Sequence, residues 1–322
     1  MLQIVNKSLT NPQASDVHVS APLTNFSQAW FTHNSAEYLS SLGICPVAQR
    51  FGSYYEWDRA ALLRAIAETR ADGADAAVIG ATVNHDGVFN CLGYGIRTPK
   101  DDVVGQFADE GVSYDMSLVD LVSEAMARRE ETEFAAAVMT TGWAVDTAPS
   151  TLWDVAGSDI PADIEAARLY IQKTTGRTPN RLLLGASVWS KMKVNASILD
   201  RLGFGSNTDP TRVTRQAVAA ILEVESIHVS TVVTNSANPG GSESTDFVVG
   251  KHALLCHVPA GNGLRAPSAF KRFVAQVNGG TNGRRMLQYR AEPRTTWIEG
   301  EGYYDTVRTS TALGRFWNGA VS

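Results

Sequence analysis

The chain has 322 residues, enough for one large domain or two modest ones around a substantial core. Hydrophobic residues make up 44% of it, and no apolar run approaches the roughly 18–20 residues that a membrane span needs. The net charge is −5 with no basic stripe, which argues against sequence-specific reading of DNA or RNA. There is no secretion-signal pattern, and the three scattered cysteines form no CxxC pair, so a reducing cytoplasm is the expected place of synthesis.

Residues 1–44 are rich in Asn, Ser, Thr and Pro, with aromatic positions at Phe26, Trp30 and Phe31. This composition is compatible with a disordered tail. The three aromatic residues favour the other interpretation, an arm that anchors on another surface. A short helix is expected near Ser35–Leu42.

Residues 45–103 contain two strand-like pieces, VAQRFGSYYEWDR and GVFNCLGYGIRTP, because aromatic and β-branched residues favour strands. A two-stranded ribbon is marginal by itself and needs a surface to lie on. The first piece carries more aromatic side chains than such a ribbon can shelter, so the sequence predicts that they lie across a neighbouring molecule. These aromatic residues are Phe51, Tyr54, Tyr55 and Trp57.

Residues 114–139 show the clearest helical pattern, with apolar residues at i, i+3, i+4, i+7 and i+8. About 25 residues make a rod of roughly 38 Å, which is long for a globular domain and suits a structural spine. The predicted apolar stripe consists of Leu118, Leu121, Val122, Ala125 and Met126. The predicted polar side consists of Asp120, Glu124, Arg128 and Glu131.

Residues 151–280 alternate between helical and strand patterns. A helix is predicted from Pro161 to Gly176, because proline favours a first turn and glycine a C-terminal stop. RLLLG reads as a buried strand, SVWSKMKVNASILDRL as helical, and Thr211 as the N-cap of RVTRQAVAAIL. IHVSTVV and DFVVGKHALLCHV read as strands, and residues 284–317 add more strand with many aromatic residues.

No catalytic, cofactor or metal motif is complete. GYGIRTP and GNGLRAP stop short of GxGxxG, VVGKHALL lacks the Ser or Thr of a P-loop, and GASVW lacks the second Gly of a nucleophile elbow. His252, Cys256 and His257 crowd one strand, but adjacent strand residues point to opposite faces, which favours core or interface roles over a metal site. We therefore predict no catalytic residues, no cofactor and no metal.

The stretch AARLYIQKTTGRTPNRLLLGASVWSKMKVNASILDRLGF joins a helix, a TGRTPN turn, an LLLG strand and a helix start. In this stretch, and in its order of parts over nearly the full length, the chain resembles major capsid proteins of tailed bacteriophages with the HK97-type fold. The resemblance implies an α+β fold with an N-terminal arm (1–44), an extended β-loop (45–110) and an axial α/β domain (151–280). A peripheral domain would comprise residues 111–150 and 281–322, with the spine helix at 114–139.

The resemblance also implies self-assembly into pentamers and hexamers of an icosahedral shell around double-stranded DNA, without catalysis. It implies a virion protein assembled in the host bacterial cytoplasm, with copies of itself as main partner and with scaffolding, cement and portal proteins and non-specific DNA contact as further partners. No membrane partner is implied. Aromatic and arginine residues are the expected interface anchors. The assembly-interface candidates are Phe26, Trp30, Phe51, Tyr54, Tyr55, Trp57, Trp297, Tyr304, Arg308 and Trp317.

Two departures from the family pattern and two alternatives accompany this interpretation. The arm begins almost at once, so a fused scaffolding segment removed by a protease is not expected. Lys100, at the base of the loop, is the only lysine in residues 45–103, so covalent cross-linking through the loop is not expected. The alternatives are an encapsulin-like nanocompartment shell, which would enclose cargo enzymes, and a cytoplasmic α/β enzyme, which would need a deep pocket with convergent polar groups in residues 151–280.

Overall fold

The computed structural model describes residues 18–54, 56–57, 63, 69, 72, 75, 83–84, 87–101, 111–203, 213–238, 240–278, 280–292 and 295–322. None of the helices within these ranges is long and apolar enough to cross a membrane. The helices are α1 (Ala21–Asn34), α2 (Gly111–Val138), α3 (Ile160–Thr175), α4 (Ala186–Met192), α5 (Ala196–Gly203) and α6 (Arg215–Ile221), with short 3₁₀ turns at Ser35–Glu37, Leu39–Ser41 and Thr311–Leu313. The strands are β1 (His18–Val19), β2 (Ile44–Val47), β3 (Phe51–Ser53), β4 (Glu56–Trp57), β5 (Val83–Asn84), β6 (Val88–Asn90), β7 (Leu92–Asp101), β8 (Arg181–Gly185), β9 (Ser226–Ser230), β10 (Val233–Asn235), β11 (Thr245–Phe247), β12 (Ala253–Cys256), β13 (Phe270–Ala275), β14 (Arg284–Glu292), β15 (Thr295–Arg308) and β16 (Gly314–Trp317).

Two main sheets organise the chain. The larger one has the order β1-β14-β15-β13-β2, with β7 paired to β15 as well. The 14-residue strand β15 is its centre, since β7, β13 and β14 all pair antiparallel with it. The smaller sheet has the order β16-β12-β8-β9.

The RLLLG segment is the buried strand β8, as predicted, because the small sheet is covered on both faces. Leu182 and Leu184 pack into a cluster with the helices α3, α4 and α6. Leu183, which points the other way, packs with Phe134 of α2 and Phe270 of β13. A strand buried on both faces needs a continuous apolar run, which this sequence supplies.

The long helix α2 joins the two sheets. Its 28 residues give a rod of about 42 Å. Around its middle, Val122 and Met126 pack against Met286 and Ile298 of the large sheet. Near its end, Phe134 lies in the cluster that covers the small sheet. The predicted spine helix is therefore present, at Gly111–Val138.

The buried face of α2 differs from the predicted stripe. Leu121, predicted to be inward, is 57% exposed, whereas Glu131, predicted to be on the polar side, is fully buried. Glu130 is buried as well. The apolar pattern predicted the buried face of α2 wrongly, because two glutamates on that face are buried with hydrogen-bonding partners inside the protein.

The stretch Ser35–Leu42, predicted to hold a short helix, contains two 3₁₀ turns, Ser35–Glu37 and Leu39–Ser41. An additional helix, α1, precedes it at Ala21–Asn34 with a proline in its first turn. It packs on α2 and β14 partly through polar side chains: the Ser27 and Ser123 hydroxyls lie 2.8 Å apart, and the Met286 N–H donates to Thr24 Oγ1 at 3.1 Å. A helix with polar residues on its buried face has no apolar stripe to recognise. Residues 1–17 of the predicted arm lie outside the described residues.

The helix predicted from Pro161 to Gly176 is α3, and its ends follow the expected chemistry. The Asp159 side chain accepts the Ala162 N–H, and Gly176 closes the helix in the left-handed conformation with φ of 68°. The N-cap of α6 is Thr214 and not the predicted Thr211, because α6 begins only at Arg215.

The strand pairing also departs from the predicted grouping of segments. Strand β13, predicted with the axial part, belongs to the large sheet, where it pairs with β15 and β2. Strand β16, predicted with the peripheral part, belongs to the small sheet, where it pairs with β12. Both pairings join segments that are far apart along the chain, which local patterns do not report.

Candidate assembly surface

Strand β7 lies beside the first half of α2 on one face of the large sheet. Its even-numbered side chains point towards this helix: Tyr94 stacks on Tyr304 with ring centroids 4.6 Å apart, and Lys100 Nζ lies 2.5 Å from Asp115 Oδ1 of α2. Lys100, the lysine noted at the base of the loop, is thus held by an ion pair within its own chain.

One edge of β7 is open. Its ten residues pair along one side with β15, and no described strand pairs with the other side. An open edge presents unpaired backbone N–H and C=O groups that can pair with another chain. With ten residues, this edge is long enough to pair with a second strand.

Four large apolar side chains form an exposed row along β3, β6 and β7: Phe51, Val88, Leu92 and Ile96, between 41% and 64% exposed. Phe51 lies opposite Asn90 in the β3–β6 pair, so it shares the face of the even-numbered residues. The alternation of side chains places all four on that face. Exposed apolar rows of this kind mark interaction surfaces. We call these residues the apolar row.

A groove of about 340 Å³ separates β7 from α2 and continues the apolar row. Leu121 lies one helical turn before Ala125 of its lining and adds an exposed apolar side chain at the rim. Tyr304 is buried in the lining, and its hydroxyl has no hydrogen-bond partner among the described residues. A buried hydroxyl without a partner is unfavourable, which suits a polar group entering from outside. The groove is lined by Tyr94, Gly95, Ile96, Ala125, Met126, Arg129, Glu130 and Tyr304.

A buried ion cluster forms the floor of the groove. Glu130 Oε2 lies 2.6 Å from Arg272 Nη2, and Arg284 Nε donates to Glu130 Oε1 at 2.6 Å. Burial raises the pKa of Glu130, but Arg272 and Arg284 outweigh it and hold this pKa below its ordinary value. The Arg272 guanidinium also lies 4.6 Å from the centre of the Tyr304 ring. The cluster therefore fixes Tyr304 from below.

Two predicted interface residues, Tyr54 and Trp317, pack inside the cores of their own chain, and a third, Tyr304, is buried in the groove lining. Tyr54 stacks on Phe273 with ring centroids 5.6 Å apart, and Trp317 packs 5.2 Å from Trp153 inside the small-sheet cluster. Tyr304 exposes only 4% of its surface, at the groove. The prediction treated these side chains as free surface because the sequence does not reveal which partners cover them.

The other candidates whose side chains the structure describes keep some exposure. Among these, Phe51 is the most exposed, at 64%. Arg97 covers the half-buried Trp297 at 4.3 Å, and Arg308 Nη1 donates to the Thr141 carbonyl at 2.8 Å. The two α1 candidates, Phe26 and Trp30, are half-buried, and Phe26 packs against the α2–β14 cluster. The Trp57 side chain and all of Tyr55 lie outside the described residues.

Sequence reasoning missed Val88, Leu92, Ile96 and Leu121. A signal for the first two was present in GVFNCL, which is apolar on both faces: Phe89 and Cys91 are buried on one face while Val88 and Leu92 are exposed on the other. Strands with apolar residues on both faces are usually buried on both faces. Here no described residue of the same chain covers the face that carries Val88 and Leu92.

A second hollow, of about 670 Å³, lies within residues 153–201, the region where an enzyme would need its pocket. Three of its polar side chains make contacts that serve the local fold. Asp159 caps α3, Asp154 accepts the Ser322 N–H at 3.2 Å, and Asn195 Nδ2 donates to the Trp153 carbonyl at 3.0 Å. Among the described residues, no group of three or more His, Cys, Asp or Glu is placed to hold a metal ion.

Solved structures share this architecture, although no family model and no curated protein sequence matches the chain. A phage-related protein from Bordetella bronchiseptica RB50 superposes with a TM-score of 0.72 at 20% identity, over 94% of this chain and 97% of that one. The capsid structure of the cyanophage P-SCSP1u gives a TM-score of 0.52 at 12% identity, with 87% of each chain covered. The chain has the HK97-type capsid fold.

The same fold is found in a shell of another kind. An encapsulin complex from Synechococcus elongatus PCC 7942 superposes with a TM-score of 0.51 at 11% identity, over 98% of this chain and 92% of that one. The resemblance noted in the sequence and the predicted α+β class are thus confirmed at the level of fold.

Proposed function

We propose that the chain is the major capsid protein of a tailed bacteriophage, which self-assembles into pentamers and hexamers of an icosahedral shell around double-stranded DNA. The observation that carries this proposal is the apolar row and groove, left uncovered on a fold that phage capsids use. A soluble monomer gains nothing from this exposed surface, whereas an assembling subunit buries it.

The proposed contact joins two different surfaces. The loop strands β3 and β6 of one copy present Phe51 and Val88, and the groove beside β7 of the next copy receives them. Arg129 at the groove lies 5.6 Å from the centre of the Tyr94 ring and offers a polar rim around apolar contacts. A contact between two unlike surfaces repeats from copy to copy and closes into a ring when the rotation permits.

The proposed domains follow the predicted boundaries with two adjustments. The arm spans residues 1–44 and the extended loop residues 45–110. The peripheral domain comprises residues 111–150 and 281–322, and the axial domain residues 151–280. Because of the strand pairing, we assign 270–275 to the peripheral sheet and 314–317 to the axial sheet.

The proposed role is structural and requires no catalysis. Copies of the chain are its main partners, with scaffolding, cement and portal proteins as further ones. With a net charge of −5, contact with packaged DNA is non-specific and confined to local basic patches. The place of action is the virion, after assembly in the cytoplasm of the host bacterium.

The test is Phe51→Ala, with Phe89→Ala as its matched control on the neighbouring strand. Phe51 is 64% exposed, so its loss should leave the subunit's melting temperature nearly unchanged and lower the yield of sedimenting particles. Truncating an aromatic anchor at an interface can cost about 2 kcal/mol or more. Phe89 is 4% exposed and stacks 4.4 Å from Phe273, so its loss should lower the melting temperature itself. Unchanged particle yield in Phe51→Ala would exclude this contact.

A further inference from the structure

Two consecutive glutamates on the buried face of α2 have opposite surroundings. Glu130 pairs with Arg272 and Arg284, as described above. Glu131 is 0% exposed, yet it has no ion pair with any described residue. A buried carboxylate that lacks a cation is costly in its charged form, so its protonation state and its hydrogen bonds must be considered together.

The partners of Glu131 are neutral donors from two other elements. Ser230 Oγ of β9 donates to Oε1 at 2.6 Å, and the Ser40 N–H of the turn Leu39–Ser41 donates to Oε2 at 2.8 Å. Ser40 and Ser230 are both buried. One carboxyl group thus joins the end of the N-terminal segment, the spine helix and the small sheet.

Both protonation states of Glu131 can be accommodated at this junction. The charged carboxylate accepts from both donors. The neutral acid still accepts the Ser40 N–H on one oxygen, while its own O–H donates to Ser230, because a hydroxyl can both donate and accept. The neutral form therefore keeps both hydrogen bonds and removes the buried charge.

We propose that Glu131 is a proton-operated latch: when its carboxyl binds a proton, the turn Leu39–Ser41 is fastened to α2 and β9, and loss of the proton at higher pH loosens this junction. The latch would regulate how firmly the segment that leads into the extended loop is held. It does not depend on the proposed shell function, since it acts within one chain.

Among the charged and titratable groups near this junction, Glu131 is the group that we expect to respond to pH. Arg272 donates to the Ser40 carbonyl but is paired with Glu130. On β9, burial and then the charges of Arg181 and Arg215 lower the pKa of His228 to about 4, so this imidazole is neutral. The groups on the surrounding elements are Tyr38 before the turn, Glu130 on α2, Arg272 on β13 and His228 on β9.

The sign of the pH effect follows from burial. Burial raises the pKa of Glu131, and the bonds from Ser230, from Ser40 and from the Leu39 backbone only partly oppose this. A carboxyl whose pKa is higher in the folded state than in the unfolded state stabilises the fold at low pH. This stabilisation is lost as the pH rises from the ordinary glutamate value, about 4.3, through the raised value.

The experiment compares wild type with Glu131→Gln, full-length, from about pH 4 to about pH 8. The glutamine amide imitates the neutral acid: its oxygen accepts from Ser40 and its NH₂ donates to Ser230. At about pH 8 we expect Glu131→Gln to melt at a higher temperature than wild type, and at about pH 4 we expect the two melting temperatures to be equal. Hydrogen exchange of the backbone amides in residues 39–41 should also be measured. In wild type its rate should rise with pH by more than the intrinsic rate does, and in Glu131→Gln it should not.

Two further variants distinguish a latch from a merely structural contact. Ser230 bonds both forms of Glu131, but its charge-assisted bond to the carboxylate is the stronger one and lowers the pKa. In Ser230→Ala the midpoint of the pH-dependent step should therefore move to higher pH. Glu130→Gln should show the opposite pH trend, since Glu130 stabilises the fold in its charged form. A difference between Glu131→Gln and wild type that is constant over pH, or an unmoved midpoint in Ser230→Ala, would overturn the proposal. If Glu131→Gln fails to fold, the proposal is tested by the midpoint of Ser230→Ala and by the pH dependence of amide exchange in wild type.

Discussion

Arg272 connects four segments through one buried guanidinium. It pairs with Glu130 of α2, donates to the Ser40 carbonyl and lies against the Tyr304 ring, while its own strand β13 sits within the large sheet. A charge buried this deeply is costly unless it is paired, because an uncompensated one costs several kcal/mol. Glu130 and the Ser40 carbonyl compensate the charge, although Arg272 Nε has no hydrogen-bond partner among the described residues.

The Glu130→Gln variant tests, at the residue scale, how much this buried ion cluster stabilises the fold. The change leaves two arginines without their carboxylate, and breaking a buried pair in this way costs about 3 kcal/mol or more. Because the pKa of Glu130 is held below its ordinary value, the pair's contribution is full above about pH 4.3 and is lost as the pH falls. Thermal unfolding should therefore show the largest deficit of the variant at neutral pH, narrowing in acid. A deficit that grows in acid would contradict the assignment.

At the scale of elements, the structure shows which local sequence signals are sufficient to predict a helix or a strand. Helix α3 could be predicted because Pro161 and Gly176 fix its ends by backbone chemistry, and β8 because its apolar run needs two covered faces. The inward face of α2 could not, since Glu130 and Glu131 depend on partners up to 154 residues away. Helix α1 escaped prediction for a related reason, its partly polar buried face.

The candidate surface was predictable only in part. The sequence pointed to the extended loop, where Phe51 is indeed exposed. It could not separate Phe51 from Tyr54, because the two differ only in whether Phe273, more than 200 residues away, covers them. It also gave no reason to select Ile96 or Leu121, whose exposure depends on how β7 lies beside α2.

Ile96→Lys tests strand β7 as an assembly edge. A lysine on an exposed edge strand blocks strand pairing and apolar docking while remaining solvated. We expect the variant subunit to fold with an unchanged circular dichroism spectrum and to remain unassembled by light scattering. Leu169→Lys is the matched control, since Leu169 is 55% exposed on α3, away from the groove. Assembly lost equally in both variants would indicate a general effect of charge and not a role of β7.

At the scale of the whole molecule, the order of parts predicted the fold class better than it predicted the pairing of strands. The chain combines helices and sheets in the fold of solved phage capsid structures, and a solved phage-related protein superposes over 94% of it. The crossings of β13 and β16 between sheets depend on contacts that no local pattern encodes. Among the described residues the core clusters are covered, while the apolar row beside β7 stays exposed.

The open face leads to the most direct measurement, electron cryo-microscopy of the purified full-length protein. We predict closed particles built from rings of subunits, in which Phe51 of one copy lies over the groove between β7 and α2 of the next. Density should be continuous from that loop to the Tyr304 hydroxyl of the neighbouring copy. A protein that stays monomeric at every concentration, or particles in which the apolar row and groove face solvent, would contradict the account.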